Sequence, residues 1–214
     1  MQLEGWTSPA GKRRVLTRLD PHERRQYERA VALAFPDTRP GPAVFGSPAP
    51  GRTVPLAAER RRWRTAVRAR AVGASSILSS DIKDCFPSIG ERALGIAAAQ
   101  AGGDPAPLLR VIRRYREAGG SGIPIGPSAS AIVADAVLSL ADERARVAGC
   151  RPVRWVDDVV FAGDRDAVAR ASRAWRDALL ELGLREHEGK RMTGVPGVRG
   201  SPVARTGRGI MRRS

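Results

Sequence analysis

Two cysteines, Cys85 and Cys150, and two histidines, His22 and His187, are all that this chain of 214 residues holds of either type. That scarcity excludes a disulfide framework and gives little support to a histidine-based zinc site or a Ser-His-Asp triad. Any metal is therefore expected to be held by oxygen. Aromatic residues are also few, at 5%. No apolar run approaches the roughly 20 residues needed to cross a bilayer. No charged-then-apolar amino terminus marks a secretory signal, so the expectation is a cytoplasmic protein without a membrane partner. Acidic charge is the last shortage, with 22 Asp plus Glu against 37 Lys plus Arg, a formal charge of +15. An excess of that size points to a polyanionic partner. Most of it is Arg, whose planar fork pairs bidentately with phosphate and stacks on bases, which favours nucleic acid over a membrane surface. The apolar share of 42% suffices for the core of one domain or of two small lobes.

The segment from Met1 to Arg14 reads as extended and basic. A helix is expected from Pro21 to about Phe35, with Asp20 as its cap and Tyr27, Val31 and Phe35 at helical spacing. Pro36 to Pro55 is punctuated by prolines and glycines and reads as an irregular connection. A basic helix from about Leu56 to Val72 carries Arg60, Arg61, Arg64 and Arg68, the candidate nucleic-acid contacts. Ser76 to Ile82 suggests a strand running into a turn. Helices follow at about 91–100, 105–117 (capped by Asp104) and from near Pro127 to before Gly149. In the last of these, Ile132, Val133, Val137, Leu140 and Ala141 form the buried face. Val153 to Phe161 is a hairpin with Asp157-Asp158 at its tip. An amphipathic helix from Arg165 to Leu182 stops at Gly183, and a last strand is expected near Met192.

Strand, helices, hairpin, helix, strand is the split βαβ order, which brings the end of the first strand beside the hairpin tip. Asp81 can then meet Asp157 and Asp158, although 76 positions (157 minus 81) separate it from the first of them. Clustered carboxylates are what a pair of Mg²⁺ ions requires, and hard oxygen ligands suit that ion. Two adjacent aspartates are often only a solvated turn. Here Val153, Trp155, Val156, Val159, Val160 and Phe161 flank them, and like charges in a buried hairpin repel unless a cation is present.

Four ordered segments carry a family resemblance over about residues 75–193. Asp81-Ile82-Lys83-Asp84-Cys85-Phe86 resembles motif A of reverse transcriptases, and Gly122-Ile123-Pro124-Ile125-Gly126-Pro127-Ser128 resembles motif B. Trp155-Val156-Asp157-Asp158 resembles motif C, and Leu182-Gly183-Leu184 with Lys190 resembles motif D. Gly11-Lys12-Arg13-Arg14 with Asp20, Arg24 and Gln26 is similar to a bacterial fingers motif. The Pro-Ile-Gly-Pro form of motif B is most similar to abortive-infection and other defence-associated bacterial enzymes, which implies an antiphage setting.

The resemblance implies an α+β polymerase right hand. A ferredoxin-like βαββαβ palm at 74–193 would follow reduced helical fingers at 1–73 and precede a basic flexible tail at 194–214, with the thumb absent or minimal. It implies RNA-templated DNA synthesis from dNTPs on a DNA or RNA primer, with two Mg²⁺ ions or Mn²⁺ as a substitute. Asp81, Asp157, Asp158 and the Ile82 carbonyl would be the metal ligands. The amides near Asp84 and Cys85 would cradle the triphosphate, Phe86 would block a 2′ hydroxyl, and Gly126 and Pro127 would lie against template and nucleotide. Lys190 would serve the departing pyrophosphate and Arg14 would clamp the triphosphate. Only 24 residues follow Lys190 (214 minus 190), so a structured RNA or a partner protein is expected to replace the thumb. Two other readings are a catalytically weak RNA-binding protein on the same fold, against which the three aspartates argue, and an RNA-dependent RNA polymerase, against which the ring at Phe86 argues.

Overall fold

Helix α1 (Pro21–Ala34) begins where the sequence places it, because Asp20 accepts the His22 and Glu23 amides at 2.8 and 2.9 Å while Glu23 accepts the Asp20 amide at 3.1 Å. This reciprocal capping box satisfies donors that a helix start leaves orphaned. The computed structural model to which it belongs describes residues 1–7, 13–36, 44–45 and 55–196. The expected helices appear as α2 (Leu56–Ala71), then, after a short α3 (Cys85–Ser88), as α4 (Glu91–Gln100), α5 (Ala106–Glu117), α6 (Ser128–Val147) and α7 (Arg165–Glu181). Asp104 does assist the start of α5, accepting the Ala106 amide at 2.9 Å from one position before the N-cap, Pro105. The fold is mixed α+β, and among the described residues no helix is long and apolar enough to cross a membrane.

Three features depart from expectation or add to it. The extended amino terminus is paired, as an antiparallel ribbon of β1 (Gln2–Thr7) and β2 (Arg13–Arg18). Val44 and Phe45, in the stretch expected to be irregular, form β3 and add in parallel to β5 (Val153–Trp155). The rest of Pro36 to Pro55, apart from its two end residues, lies outside the described residues, as do Gly11, Lys12 and the basic tail beyond Pro196. Finally, α3 and a 3₁₀ turn at Glu188–Lys190 are single turns too short to leave a periodic signal.

The main sheet has the order β3-β5-β6-β4-β7, where β4 is Ser76–Asp81, β6 is Asp158–Gly163 and β7 is Met192–Gly194. All its pairings except that of β3 are antiparallel. Side chains alternate between its faces, as strand geometry requires. Leu78, Val159 and Phe161 join the large core with α1, α4, α6 and α7, where Phe161 meets Trp175 edge-on at 5.9 Å. Ile77, Val153, Trp155, Val160 and Ala162 face the other way, onto Trp63, Val67 and Ala71 of α2. Each fully buried large apolar side chain contributes about 1.5–3 kcal/mol by leaving water, so this two-sided burial holds the central strands β4 and β6 firmly. On α6, Val133, Val137 and Ala141 are buried as expected, whereas Ile132 and Leu140 are only half-buried. Burial there runs unbroken from residue 133 to 138, because α6 packs on neighbours from several sides.

Candidate active site

Strand parity and register assemble the acidic centre. Asp81 ends β4 and stands directly opposite Asp158, the first residue of β6. Two-residue alternation from Ile77 and from Val160 puts both aspartates on the α2 face of the sheet. Asp157 occupies the tip between β5 and β6, and its carbonyl accepts the Ile82 amide at 3.3 Å, tying the hairpin to the end of β4. The segment after α7 then returns along β4. His187 donates to the Asp81 carbonyl at 2.7 Å, Lys83 donates to the Arg185 carbonyl at 2.9 Å, and Ile82 bridges Glu186. That return delivers Lys190, whose Nζ is ion-paired with Asp81 Oδ2.

Three carboxylates share this corner with one ammonium. Burial raises the Asp157 carboxyl above its ordinary value, the charge of Asp81 raises it further, and Lys190 and Arg14 partly offset both. Asp158 is pushed to about 6 by burial and then by Asp157 and Asp81, against the pull of Lys190 and Arg60. Burial works to lower the Lys190 value, but Asp81 and the other two aspartates outweigh it and the net shift is upward. Among the described residues no group of three or more His, Cys, Asp and Glu side chains stands arranged to hold a metal ion. In this structure one oxygen of Asp81 is committed to Lys190 instead.

The centre opens into a cleft of about 1140 Å³, lined also by Arg14, Arg60, Asp84, Cys85, Phe86, Gly126, Pro127 and Lys190. These expected site residues thus come together from the amino-terminal ribbon, α2, the turn after β4, the loop before α6 and the segment after α7. Two glycines make that assembly possible. At Gly122 (φ +62°) a Cβ would lie 2.1 Å from the Phe86 carbonyl oxygen, so only glycine lets this loop close on α3 and the Ile123 amide donate to that same oxygen at 3.0 Å. At Gly126 (φ +124°) a Cβ would lie 3.1 Å from the Thr17 carbonyl oxygen, where the Thr17 amide bonds the Ile125 carbonyl at 2.7 Å and hooks the ribbon onto the cleft.

Other expected residues stand apart. The Ile82 side chain is core, although the group expected at the site is its backbone carbonyl. Of the α2 arginines only Arg60 reaches the cleft, lying 4.4 Å from the Trp155 ring centroid. Arg61 and Arg68 are exposed outside it, and Arg64 is half-buried, its Nε lacking a hydrogen-bond partner. The Cys85 thiol is buried, which raises its value far above the ordinary one, so it is inert as a nucleophile.

Sequence reasoning missed Arg154. It faces α6 from β5, fully buried, and donates to Asp135 Oδ1 at 2.5 Å, Asp142 Oδ2 at 2.8 Å and the Val156 carbonyl at 2.9 Å. Trp175 Nε1 donates to the second oxygen of Asp142 at 3.2 Å. Val156 is left-handed (φ +52°), a conformation that costs a β-branched residue about 1–2 kcal/mol. Arg154 therefore holds the turn that presents Asp157. The available signal was one arginine between two apolar residues of a buried strand, with two aspartates seven positions apart (142 minus 135) bracketing a helical stretch that is apolar but for Ser139.

No protein-family model matches this chain, and no curated protein matches it.

Proposed function

We propose that the chain is a reverse-transcriptase-like nucleotidyltransferase, with β4 to β7 and their helices as a polymerase palm and the cleft as its active site. The observation that carries the reading is the Asp81–Asp158 cross-strand pair beside Asp157, with Phe86, Gly126 and Lys190 around one cleft. Chance clustering of buried carboxylates is disfavoured by their mutual repulsion. The β-α-β-β-α-β order from β4 to β7 supports the palm assignment.

The residues fit divalent metal by the chemistry of their donors, which are hard oxygens in a site whose like charges are left undercompensated. Asp81, Asp157 and Asp158, with the Ile82 carbonyl, would hold two Mg²⁺ ions or Mn²⁺, whose chemistry when bound is activation of a 3′ hydroxyl and neutralisation of pyrophosphate. The protein's own groups do the rest. Phe86 presents a ring that excludes a 2′ hydroxyl, Arg14 and Lys190 supply positive charge for phosphate oxygens, and Arg60 on Trp155 offers a cation over a stacking surface for nucleic acid. RNA template, primer and dNTPs are the proposed ligands, and bacterial antiphage defence is the proposed setting.

Asp157→Ala with Asp158→Ala should abolish incorporation of dNTPs on a primed RNA template, a fall of roughly a thousandfold or more, while circular dichroism stays native. Unchanged incorporation by the folded double variant would remove the reading. Phe86→Ala should raise ribonucleotide incorporation relative to deoxynucleotide. The Asp81–Lys190 ion pair favours one second reading, a polymerase-fold RNA-binding protein without catalysis. Wild-type protein that binds primed template yet incorporates nothing in Mg²⁺ or Mn²⁺ would establish it.

A further inference from the structure

A second concavity, of about 480 Å³, lies between α7 and the edge strand β7 and shares no lining residue with the cleft. Leu78 and Val168, which line it, belong to the core on the α7 side of the sheet, opposite the face that carries Asp81 and Asp158. Its walls hold four guanidinium groups, Arg165, Arg173 and Arg176 from α7 and Arg191 just before β7.

One carboxylate hydrogen-bonds Arg191 and ion-pairs with Arg176, whose buried Nε makes no hydrogen bond. Glu186, 7% exposed at its side chain, accepts from Arg191 at 2.8 and 3.0 Å and lies 3.1 Å from Arg176 Nε. The Ser80 hydroxyl donates to Glu186 at 2.5 Å, and Arg191 makes a longer bond of 3.4 Å to Ser172. Arg165 and Arg173 are exposed and have no ion pair among the described residues. One negative charge thus stands against four positive ones. The amides at the start of α7 are already taken by the Asp164 cap, at 2.9 and 3.1 Å, so the anion-binding capacity resides in the side chains.

The arrangement selects an elongated ligand. Positions 165, 169, 172, 173 and 176 recur on one face of α7, and the 11 steps from Arg165 to Arg176 (176 minus 165) span about 16 Å at ~1.5 Å per residue. Each strand of a duplex carries a phosphate about every 3.4 Å of helix axis and an unpaired strand spaces them more widely, so that length faces several successive phosphates. A single small anion would meet only one end of the row. Guanidiniums held in place lose little freedom when they pair with phosphate.

We propose that this groove is a second nucleic-acid site, which grips the phosphate backbone of a strand on the face of the sheet opposite the carboxylate cleft. It requires no polymerisation by the cleft. The experiment is fluorescence anisotropy of a labelled single-stranded RNA, and of DNA of the same sequence, titrated across a range of salt. Arg165→Ala with Arg173→Ala should lower affinity at least about tenfold and reduce the slope of log K against log salt by about 1.4, two contacts at ~0.7 each. Arg165→Lys with Arg173→Lys should restore most of the slope. Arg25→Ala with Arg29→Ala, exposed on α1, should change it by less than about half a unit. Loss with RNA alone assigns an RNA strand, and equal loss with both assigns either. An unchanged slope, or a loss no larger than that of the α1 pair, overturns the proposal. The measurement repeated with Asp157→Ala and Asp158→Ala present should give the same differences, which separates this inference from the fate of the proposed chemistry.

Discussion

On the α6 side of the β5–β6 hairpin, Asp135 and Asp142 share the buried guanidinium of Arg154; on the cleft side, Asp81, Asp157 and Asp158 share the half-exposed ammonium of Lys190. The ingredients are alike and the outcomes differ. Burial leaves the Asp135 carboxyl above its ordinary value although Arg154 opposes it at hydrogen-bond distance, and burial of Arg154 is outweighed by its two carboxylates. Among the described residues no group in the cleft answers Asp158 so directly, and it is left near 6. A buried charge with a fixed partner serves the fold, whereas like charges left undercompensated beside a cleft are retained at a cost to the fold, the usual mark of a working site.

Three measurements of stability sharpen that contrast. The largest effect is expected from Arg154→Ala, which strands two carboxylates in the core and frees the Val156 carbonyl, a loss of about 3–5 kcal/mol by urea unfolding. Adding Val156→Gly, which removes the left-handed strain, should recover part of it. A loss under about 1 kcal/mol would mean that Arg154 is not the fixed partner described here.

Asp158→Asn should act in the opposite direction. Asp158 holds its proton more tightly in the folded state, at about 6 against the ordinary 3.8, so unfolding releases a proton between those values and stability falls as pH rises through them. Without divalent ions at pH about 8, the variant should be more stable than wild type by on the order of 2 kcal/mol. Below pH about 3, under both values, the difference should vanish. A wild type that is the more stable of the two at alkaline pH would break the comparison.

Lys190→Met should have the smallest effect on stability, below about 1 kcal/mol, since the lysine side chain is 47% exposed and solvent screens its pairing with Asp81. Its electrostatic consequence is the sharper readout. Lys190 pulls the Asp157 and Asp158 carboxyls down, so both titrations followed by carboxyl NMR should move up in the variant. Unmoved titrations would show that Lys190 is not the counter-charge of the cleft.

Local signals in the sequence were enough to mark the Asp20 cap, the stripe on α7 with its stop at Gly183 and the acidic hairpin tip, because caps, periodicity and turn chemistry act within a few residues. The meeting of Asp81 with Asp157 and Asp158 could be read from element order, since a split βαβ arrangement brings those strand ends together. Arg154 was not legible as the brace of the turn, nor Glu186 as the anchor of Arg176 and Arg191. Asp135, Asp142 and Arg176 lie on other elements, and no spacing rule connects them or the Glu186–Arg191 pair five residues apart.

By itself the sequence determined the helices, the basic excess and the carboxylates available for chemistry, for those follow from composition and from interactions within a turn or two. Only the tertiary structure decided which face of the sheet each charge would occupy. A strand residue's face depends on register with strands far away in the chain. That register put Asp81 opposite Asp158 in the cleft and sent Arg154 into the core, while the packing of α7 on the other face left four arginines along a groove there.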